Sequence, residues 1–266
     1  MLDRFNRKIN YLRVSVTDRC NLRCVYCMPE EGIKLLKHND ILSFDEIVDV
    51  CKTAVSLGVT KIRLTGGEPL VRKGIASLVE QIANIDGVED LGMTTNGILL
   101  PEFAQDLKNA GLNRVNISLD TLDPDEYRKI TRCGDFSKVM QGIEAAKKAG
   151  LEPVKLNAVV YNEQNVEMKE ALKKFANDNG LRIRFISQMH LETGEFSVVE
   201  GGTGGDCEIC NRIRLTANGF IKPCLFSDDE YSVRELGVKE AILKAVEFKP
   251  EKGISCHKGD FYNIGG

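Results

Sequence analysis

Short runs of β-branched and apolar residues alternate with longer segments of helical periodicity between residues 11 and 186. The short runs predict six strands, over residues 11–16, 61–65, 90–94, 114–119, 154–160 and 182–186. The longer segments predict five helices, over residues 43–57, 73–85, 101–110, 136–149 and 165–179. This alternation is typical of a parallel sheet, in which a helix connects each strand to the next.

Polar and glycine residues mark the predicted helix ends. Ser43 and Glu46 form the capping-box pattern at the start of the first helix. A glycine that can adopt positive φ follows four of the helices, at Gly58, Gly111, Gly150 and Gly180. Six strand–helix units are too few for a closed eight-unit barrel. We therefore expect an α/β fold with an open, curved partial (βα)6 barrel.

Parallel strands also predict where ligands bind, because ligand groups in such folds lie at the carboxyl ends of the strands. Polar or glycine-rich segments follow several predicted strands, at residues 65–69 (TGGEP), 94–97 (TTNG) and 118–120 (SLD). Gly66 and Gly67 have no Cβ atom, so we expect them to let the backbone approach a ligand closely.

The charge balance and the cysteine content narrow the protein class. The 266 residues include 36 Lys and Arg and 39 Asp and Glu, a net charge of −3, which argues against a general nucleic-acid surface. Nine cysteines without an apolar leader segment predict reduced thiols in the cytoplasm, and no stretch is apolar enough to span a membrane. Residues 201–205 (GGTGG) predict a flexible linker.

Three cysteines with the spacing Cys-x3-Cys-x2-Cys follow the first predicted strand: Cys20, Cys24 and Cys27. Three thiolates can bind three irons of a cubane [4Fe–4S] cluster and leave the fourth iron open to a substrate. A zinc site usually needs a fourth protein ligand nearby, and none is visible. Incidental core cysteines are the other alternative. We expect an open cluster at this loop.

A second set has the spacing Cys-x2-Cys-x13-Cys: Cys207, Cys210 and Cys224. It again supplies three ligands, which predicts a second open cluster. A closed zinc site remains an alternative, because Cys256 or His257 could add a fourth ligand. The positive charge of Arg212 and Arg214 suits a phosphate group, although two arginines on a strand can also be a solvated pair.

The first set, with Tyr26 directly before its last cysteine, resembles the cluster motif of the radical S-adenosylmethionine (SAM) superfamily. In that superfamily the open iron binds SAM, and reductive cleavage of SAM yields a 5′-deoxyadenosyl radical. Nearly the whole chain is similar to one of its families, the GTP 3′,8-cyclases, which open molybdenum-cofactor biosynthesis. The similarity is carried by the second cysteine set, the terminal glycine pair and residues 13–20, 62–70, 93–97, 116–120 and 184–186.

The resemblance implies a radical SAM lyase that holds two [4Fe–4S] clusters and SAM and takes an electron from a reducing donor. Its radical would take hydrogen from the ribose C3′ of GTP, and C3′ would then join C8 of guanine, giving (8S)-3′,8-cyclo-7,8-dihydroguanosine 5′-triphosphate. By the same resemblance, SAM is bound by Tyr26, Gly67, Ser118 and Met189. GTP is bound by Arg13, Arg63, Thr94, Lys155, Arg212, Ile213 and Arg214. Catalysis is expected from the first cysteine set with Arg212 and Arg214, and the Gly265-Gly266 tail is expected to reach the active site.

The chain departs from the family at one place. Only 17 residues lie between Met189 and Cys207, where family members usually have several tens more. We expect a partial barrel over residues 1–190, a shortened glycine-rich linker over 191–205, and a small C-terminal subdomain with the second cluster over 206–266.

The shortened segment leaves the substrate open, and the sequence as a whole leaves a homodimer open. A radical SAM enzyme that acts on another nucleotide or on a peptide is the alternative function. A non-enzymatic iron–sulfur carrier or a zinc-binding module fits less well, because neither needs the glycine motif of residues 65–69.

Overall fold

The structure is a computed structural model that describes residues 1–161 and 166–257. In these two segments one sheet is formed by β1 (Tyr11–Ser15), β2 (Lys61–Thr65), β3 (Asp90–Thr95), β4 (Arg114–Ser118), β5 (Lys155–Val160), β6 (Arg182–Ser187), β7 (Arg212–Leu215), β8 (Phe220–Lys222) and β9 (Tyr231–Ser232). The helices are α1 (Phe44–Ser56), α2 (Ile75–Ala83), α3 (Leu100–Asn109), α4 (Pro124–Thr131), α5 (Phe136–Lys148), α6 (Val166–Asp178), α7 (Val233–Leu236) and α8 (Val238–Glu247). None of them is long and apolar enough to cross a membrane.

The strand order is β6-β5-β4-β3-β2-β1-β7-β8-β9, so the sheet remains open between its end strands. Strands β1 to β7 are paired in parallel, and β8 and β9 are antiparallel. This confirms the predicted open partial barrel. All six predicted strands and all five predicted helices are present, with ends that differ from the prediction by at most two residues.

Local signals determine the helix ends and the two faces of the strands. The Ser43 hydroxyl accepts a hydrogen bond from the Glu46 N–H, and the Glu46 carboxylate accepts one from the Ser43 N–H. The four glycines predicted to end helices all have positive φ, between 69° and 98°. On β1, Leu12 and Val14 are buried in the hydrophobic core. The alternate residues of β1 therefore face the inside of the curved sheet.

Helices α4, α7 and α8 and strands β7 to β9 were not predicted from the sequence. Helix α4 begins with Asp123 as its N-cap and Pro124 at its first position, but eight residues are too few to give a clear period. Strand β7 lies beside β1, so the C-terminal strands extend the same sheet. The separation into residues 1–190, 191–205 and 206–266 stays a prediction, and the β1–β7 hydrogen bonds join its first and last parts directly.

Helix α5 packs closely against the loop that follows β3. A Cβ atom at Gly142 would overlap the carbonyl oxygen of Gly97. Alanine normally stabilises a helix over glycine by about 1 kcal/mol, but forcing atoms into a packed site costs roughly 1–3 kcal/mol. We predict that Gly142→Ala lowers the free energy of unfolding in urea. Gln141 is exposed and provides the control, because Gln141→Ala should not lower the stability of the protein. A Gly142→Ala variant as stable as the wild type would contradict this packing.

Candidate active site

A cavity of about 630 Å³ lies inside the curved sheet and is lined by residues from all seven parallel strands. Both cysteine sets line it. So do all the residues expected to bind SAM or GTP, with one exception. The exception is Ile213, whose side chain is fully buried in the hydrophobic core. The Gly265-Gly266 tail lies outside the described residues.

The first cysteine set lies in the loop after β1. The Cys24 carbonyl accepts hydrogen bonds from the N–H groups of Cys27 and Met28, so the last two cysteines share a tight turn. Burial raises the pKa of Cys20 to about 11, and burial together with the nearby Asp120 carboxyl raises the pKa of Cys24 further. Thiols with such pKa values stay protonated unless a cation replaces the proton, as iron would. The donor set therefore fits an iron–sulfur cluster.

The paired glycines after β2 pack against this cysteine loop. A Cβ atom at Gly66 would lie 2.7 Å from the Thr17 carbonyl oxygen, and one at Gly67 would overlap the Arg19 carbonyl oxygen. The Gly67 and Glu68 N–H groups donate to the same two carbonyls, each at 2.8 Å. These glycines admit the backbone that carries Cys20, and the expectation that they also let a ligand approach stays a prediction.

Buried carboxyl groups connect the neighbouring segments. The Glu68 carboxylate accepts hydrogen bonds from the Leu70 N–H, the Thr95 hydroxyl and the Asn96 N–H, and burial raises its pKa to about 7. Asp120 accepts a hydrogen bond from the Tyr26 hydroxyl at 3.0 Å, and burial raises its pKa to about 6. These bonds hold the loops after β2, β3 and β4 beside the first cysteine set, where Tyr26 and the other expected SAM-binding residues line the cavity.

Two rows of basic side chains line the cavity. In the first, Arg13 on β1 lies opposite Arg63 on β2 and Arg214 on β7. In the second, two residues earlier, Lys61 and Arg212 lie on either side of a tyrosine of β1. Residues two apart on a strand share a face, so these rows form one surface, called here the basic rows. Burial and the neighbouring Arg214 lower the pKa of Arg13 well below its usual range.

Polar groups next to the basic rows also face the cavity. Burial and Arg184 lower the pKa of Lys155 on β5 to about 8. In residues 1–161 and 166–257, several buried polar atoms of the cavity wall lack a hydrogen-bond partner: Arg63 Nε, Thr94 Oγ1, Asn116 Oδ1, Asn157 Oδ1 and Arg212 Nε. Buried polar atoms normally have partners, so this arrangement fits a polar ligand.

The basic groups lie closer to the amino ends of the strands than the sequence predicted. Lys61, Lys155 and Arg212 are the first residues of their strands, whereas ligand groups were expected at the carboxyl ends. Asn116 lines this part of the cavity, and Gly92, two residues before Thr94 on the same face of β3, has no side chain to fill it. The sequence analysis also missed Lys61 and Arg184 as site residues, although each lies two positions from a basic residue on the same strand.

The second cysteine set lies at the opposite end of the cavity, before β7 and after β8. Burial raises the pKa of Cys210, but the charges of Lys249 and Arg212 outweigh burial and bring it to about 7. Cys256 is buried in a small apolar cluster with Leu191 and does not line the cavity. In the part of the chain that the structure describes, no three His, Cys, Asp or Glu side chains are arranged to bind one metal ion. A cubane has different requirements, because each thiolate binds its own iron.

Known proteins with similar sequences identify the family of this chain. Residues 14–176 match the Radical SAM superfamily. GTP 3′,8-cyclase from Thermodesulfovibrio yellowstonii is 43% identical, over 97% of this chain and 96% of the relative. GTP 3′,8-cyclase from Petrotoga mobilis is 41% identical, over 98% of this chain and 97% of the relative. The chain belongs to the GTP 3′,8-cyclase family of the radical SAM superfamily.

Radical SAM enzymes also share this fold. Streptococcus suis SuiB bound to S-adenosylmethionine superposes with a TM-score of 0.62 at 17% identity, over 86% of this chain and 64% of SuiB. The alignment with the Thermodesulfovibrio GTP 3′,8-cyclase runs over 311 positions, 45 more than this chain has residues. That relative therefore carries segments that this family member lacks.

The short connection before Cys207 forms a wall of the cavity. Glu200 bridges to Phe185 on β6, and the Thr203 carbonyl accepts a hydrogen bond from Arg212 on β7 at 2.8 Å. Residues 201–205, expected as a flexible linker, form a compact turn in which the Val199 N–H donates to the Gly204 carbonyl. Glycines allow this because backbone atoms approach them too closely for a Cβ atom.

Because Gly67 fits against the backbone before Cys20, we predict that Gly67→Ala displaces the cysteine loop. The variant should lose the iron bound by the first set, roughly half of the total after anaerobic reconstitution. Iron and sulfide analysis measures this loss. Gly92→Ala is the matched control, because the nearest atom to its new Cβ would lie 3.4 Å away. Full iron in Gly67→Ala would show that the loop tolerates the extra atom.

Proposed function

We propose that this GTP 3′,8-cyclase family member converts GTP to (8S)-3′,8-cyclo-7,8-dihydroguanosine 5′-triphosphate, the first step of molybdenum-cofactor biosynthesis. The basic rows, which lie between two cysteine sets in one cavity, carry the proposal. A triphosphate needs several cations, which these rows supply. The unpartnered polar atoms of Thr94, Asn116 and Asn157 suit the ribose and the base of the same ligand.

Each end of the cavity has a separate role in this proposal. Cys20, Cys24 and Cys27 would hold a [4Fe–4S] cluster, and SAM would bind beside it against Tyr26, Gly67, Ser118 and Met189. Together they would supply a radical that takes a hydrogen atom from ribose. A second [4Fe–4S] cluster would be held at the other end by Cys207, Cys210 and Cys224.

Within the cavity, the chain's own residues would orient GTP. Arg13, Arg63, Lys155, Arg212 and Arg214 would bind the phosphates and so hold the ribose at a constant distance from the SAM end. The walls of the cavity would exclude water from the radical. The reaction also needs a one-electron reducing donor. A cytoplasmic location, where the nine free cysteines stay reduced, forms part of the proposal.

Anaerobically reconstituted protein with SAM, a reductant and GTP tests the proposal. We expect 5′-deoxyadenosine together with a product isomeric with GTP, separated by chromatography and identified by mass spectrometry. SAM cleavage without any GTP product would overturn the assignment of GTP. It would favour the alternative, a radical SAM enzyme that acts on another nucleotide or a peptide.

The two cysteine sets predict about eight irons per chain after reconstitution. Replacing Cys207, Cys210 and Cys224 together by alanine should halve the iron, because one cubane loses its ligands. SAM cleavage should remain, uncoupled from product formation, since the first set is intact. Metal analysis and 5′-deoxyadenosine assays measure both effects. Zinc at the second set, or about four irons in the unsubstituted protein, would rule out the second cluster.

Arg63 is buried in the basic rows, and its Nε has no hydrogen-bond partner among the residues that the structure describes. We therefore predict that Arg63→Met weakens GTP binding by about tenfold or more. Charge-assisted hydrogen bonds of this kind contribute roughly 1.5–3 kcal/mol. Nucleotide-free Arg63→Met should unfold at the same or a higher temperature, because repulsion within the rows decreases. Calorimetry and thermal unfolding measure these effects. Arg128→Met, at an exposed position of α4, is the control, and equal GTP affinity in both variants would contradict the assignment.

A further inference from the structure

Lys249, which follows α8, is a buried cation beside the second cysteine set. Its side chain is 1% exposed, and its ammonium donates hydrogen bonds to the carbonyl oxygens of Arg212 at 2.9 Å and Pro223 at 2.6 Å. Arg212 lies two residues after Cys210, and Pro223 lies directly before Cys224. One side chain thus connects the two chain segments that carry this cysteine set.

The charge of Lys249 has no carboxylate partner among residues 1–161 and 166–257. Carbonyl oxygens solvate an ammonium group but do not neutralise it, and a buried charge without a counter-charge is unfavourable. Lys222 provides the contrast, because it is equally buried but has the Glu230 carboxylate 3.7 Å away. Lys249 also lines the cavity, so its counter-charge is expected there.

Arg7 holds the remaining cysteine of the set, Cys207, in a different way. Its guanidinium donates to the carbonyl oxygens of Cys207, Pro250 and Glu251, between 2.7 and 2.8 Å. It also pairs with the Asp3 carboxylate at 2.6 Å, so this cation is neutralised within the protein. Unlike Arg7, Lys249 has no carboxylate partner in the part of the chain that the structure describes.

We propose that Lys249 is a positioning and charge-compensating residue of the second [4Fe–4S] cluster. This inference rests on the proposed function, which assigns a cluster to Cys207, Cys210 and Cys224. An oxidised cubane with three thiolate ligands has a net charge of about −1, and reduction adds one more negative charge. Lys249 would hold Cys210 and Cys224 toward one cluster through the carbonyls beside them. Its positive charge would favour the reduced state and so raise the reduction potential.

The test uses the full chain in which Cys20, Cys24 and Cys27 are replaced by alanine, so that only the second cluster forms. The midpoint potential of this cluster is measured in a redox titration that is monitored by electron paramagnetic resonance, without GTP. Adding Lys249→Gln should shift the midpoint potential to a more negative value. The control, Lys222→Gln with Glu230→Gln, removes an equally buried lysine without changing the net charge, and it should leave the potential close to that of the parent.

The outcomes separate this inference from the proposed function. If the parent binds no iron at the second set, the second cluster itself is wrong. If Lys249→Gln keeps its iron at an unchanged potential, the proposal for Lys249 is overturned, even if GTP affinity falls. If Lys249→Gln loses the iron, circular dichroism shows whether the variant is still folded. A folded chain, with iron retained in the control, supports the positioning role, whereas unfolding, or equal iron loss in the control, overturns it.

Discussion

Strand β1 is paired with β2 on one side and β7 on the other in a register that sets Arg63, Arg13 and Arg214 side by side. Neighbouring strands are about 4.8 Å apart, a separation at which like charges repel strongly inside a protein. The register persists because the opposite faces of these strands, such as Leu12 and Val14 on β1, pack into the hydrophobic core. The sheet therefore stabilises a concentration of positive charge that suits an anionic ligand.

The same pairing determines how far apart the cysteine sets lie. Cys20 follows the carboxyl end of β1, whereas Cys210 precedes the amino end of β7, and the two strands run parallel. The ends of a five-residue strand are about 16 Å apart. The cavity between the two cysteine sets thus has room for a cofactor and a nucleotide, and the arginines of the basic rows lie between the sets. The positive charge of the basic rows and the spacing of the two cysteine sets both follow from the way β1 pairs with its neighbouring strands.

Local patterns explain why much of this could be predicted from the sequence. Alternating strands, the Ser43 cap and the glycine stops involve neighbouring residues only, and the cysteine spacings are visible directly. The β1–β7 pairing joins residues about 200 positions apart, so no local pattern reveals that Arg212 and Arg214 lie beside Arg13. Lys249 is one of two lysines in a short polar segment, and only the folded chain shows that it is buried against two carbonyls.

The short connection before Cys207 affects the wall of the cavity more than its charge. It runs from β6 to β7 across the open side of the sheet, bridges to Phe185, and meets Arg212 through Thr203. Its Phe196 ring stacks on Phe226 with centroids 4.4 Å apart, which closes this side with apolar surface. The cations that would bind a triphosphate all come from the strands. A shorter connection can therefore alter the shape around the ligand while the sheet still selects a polyanion.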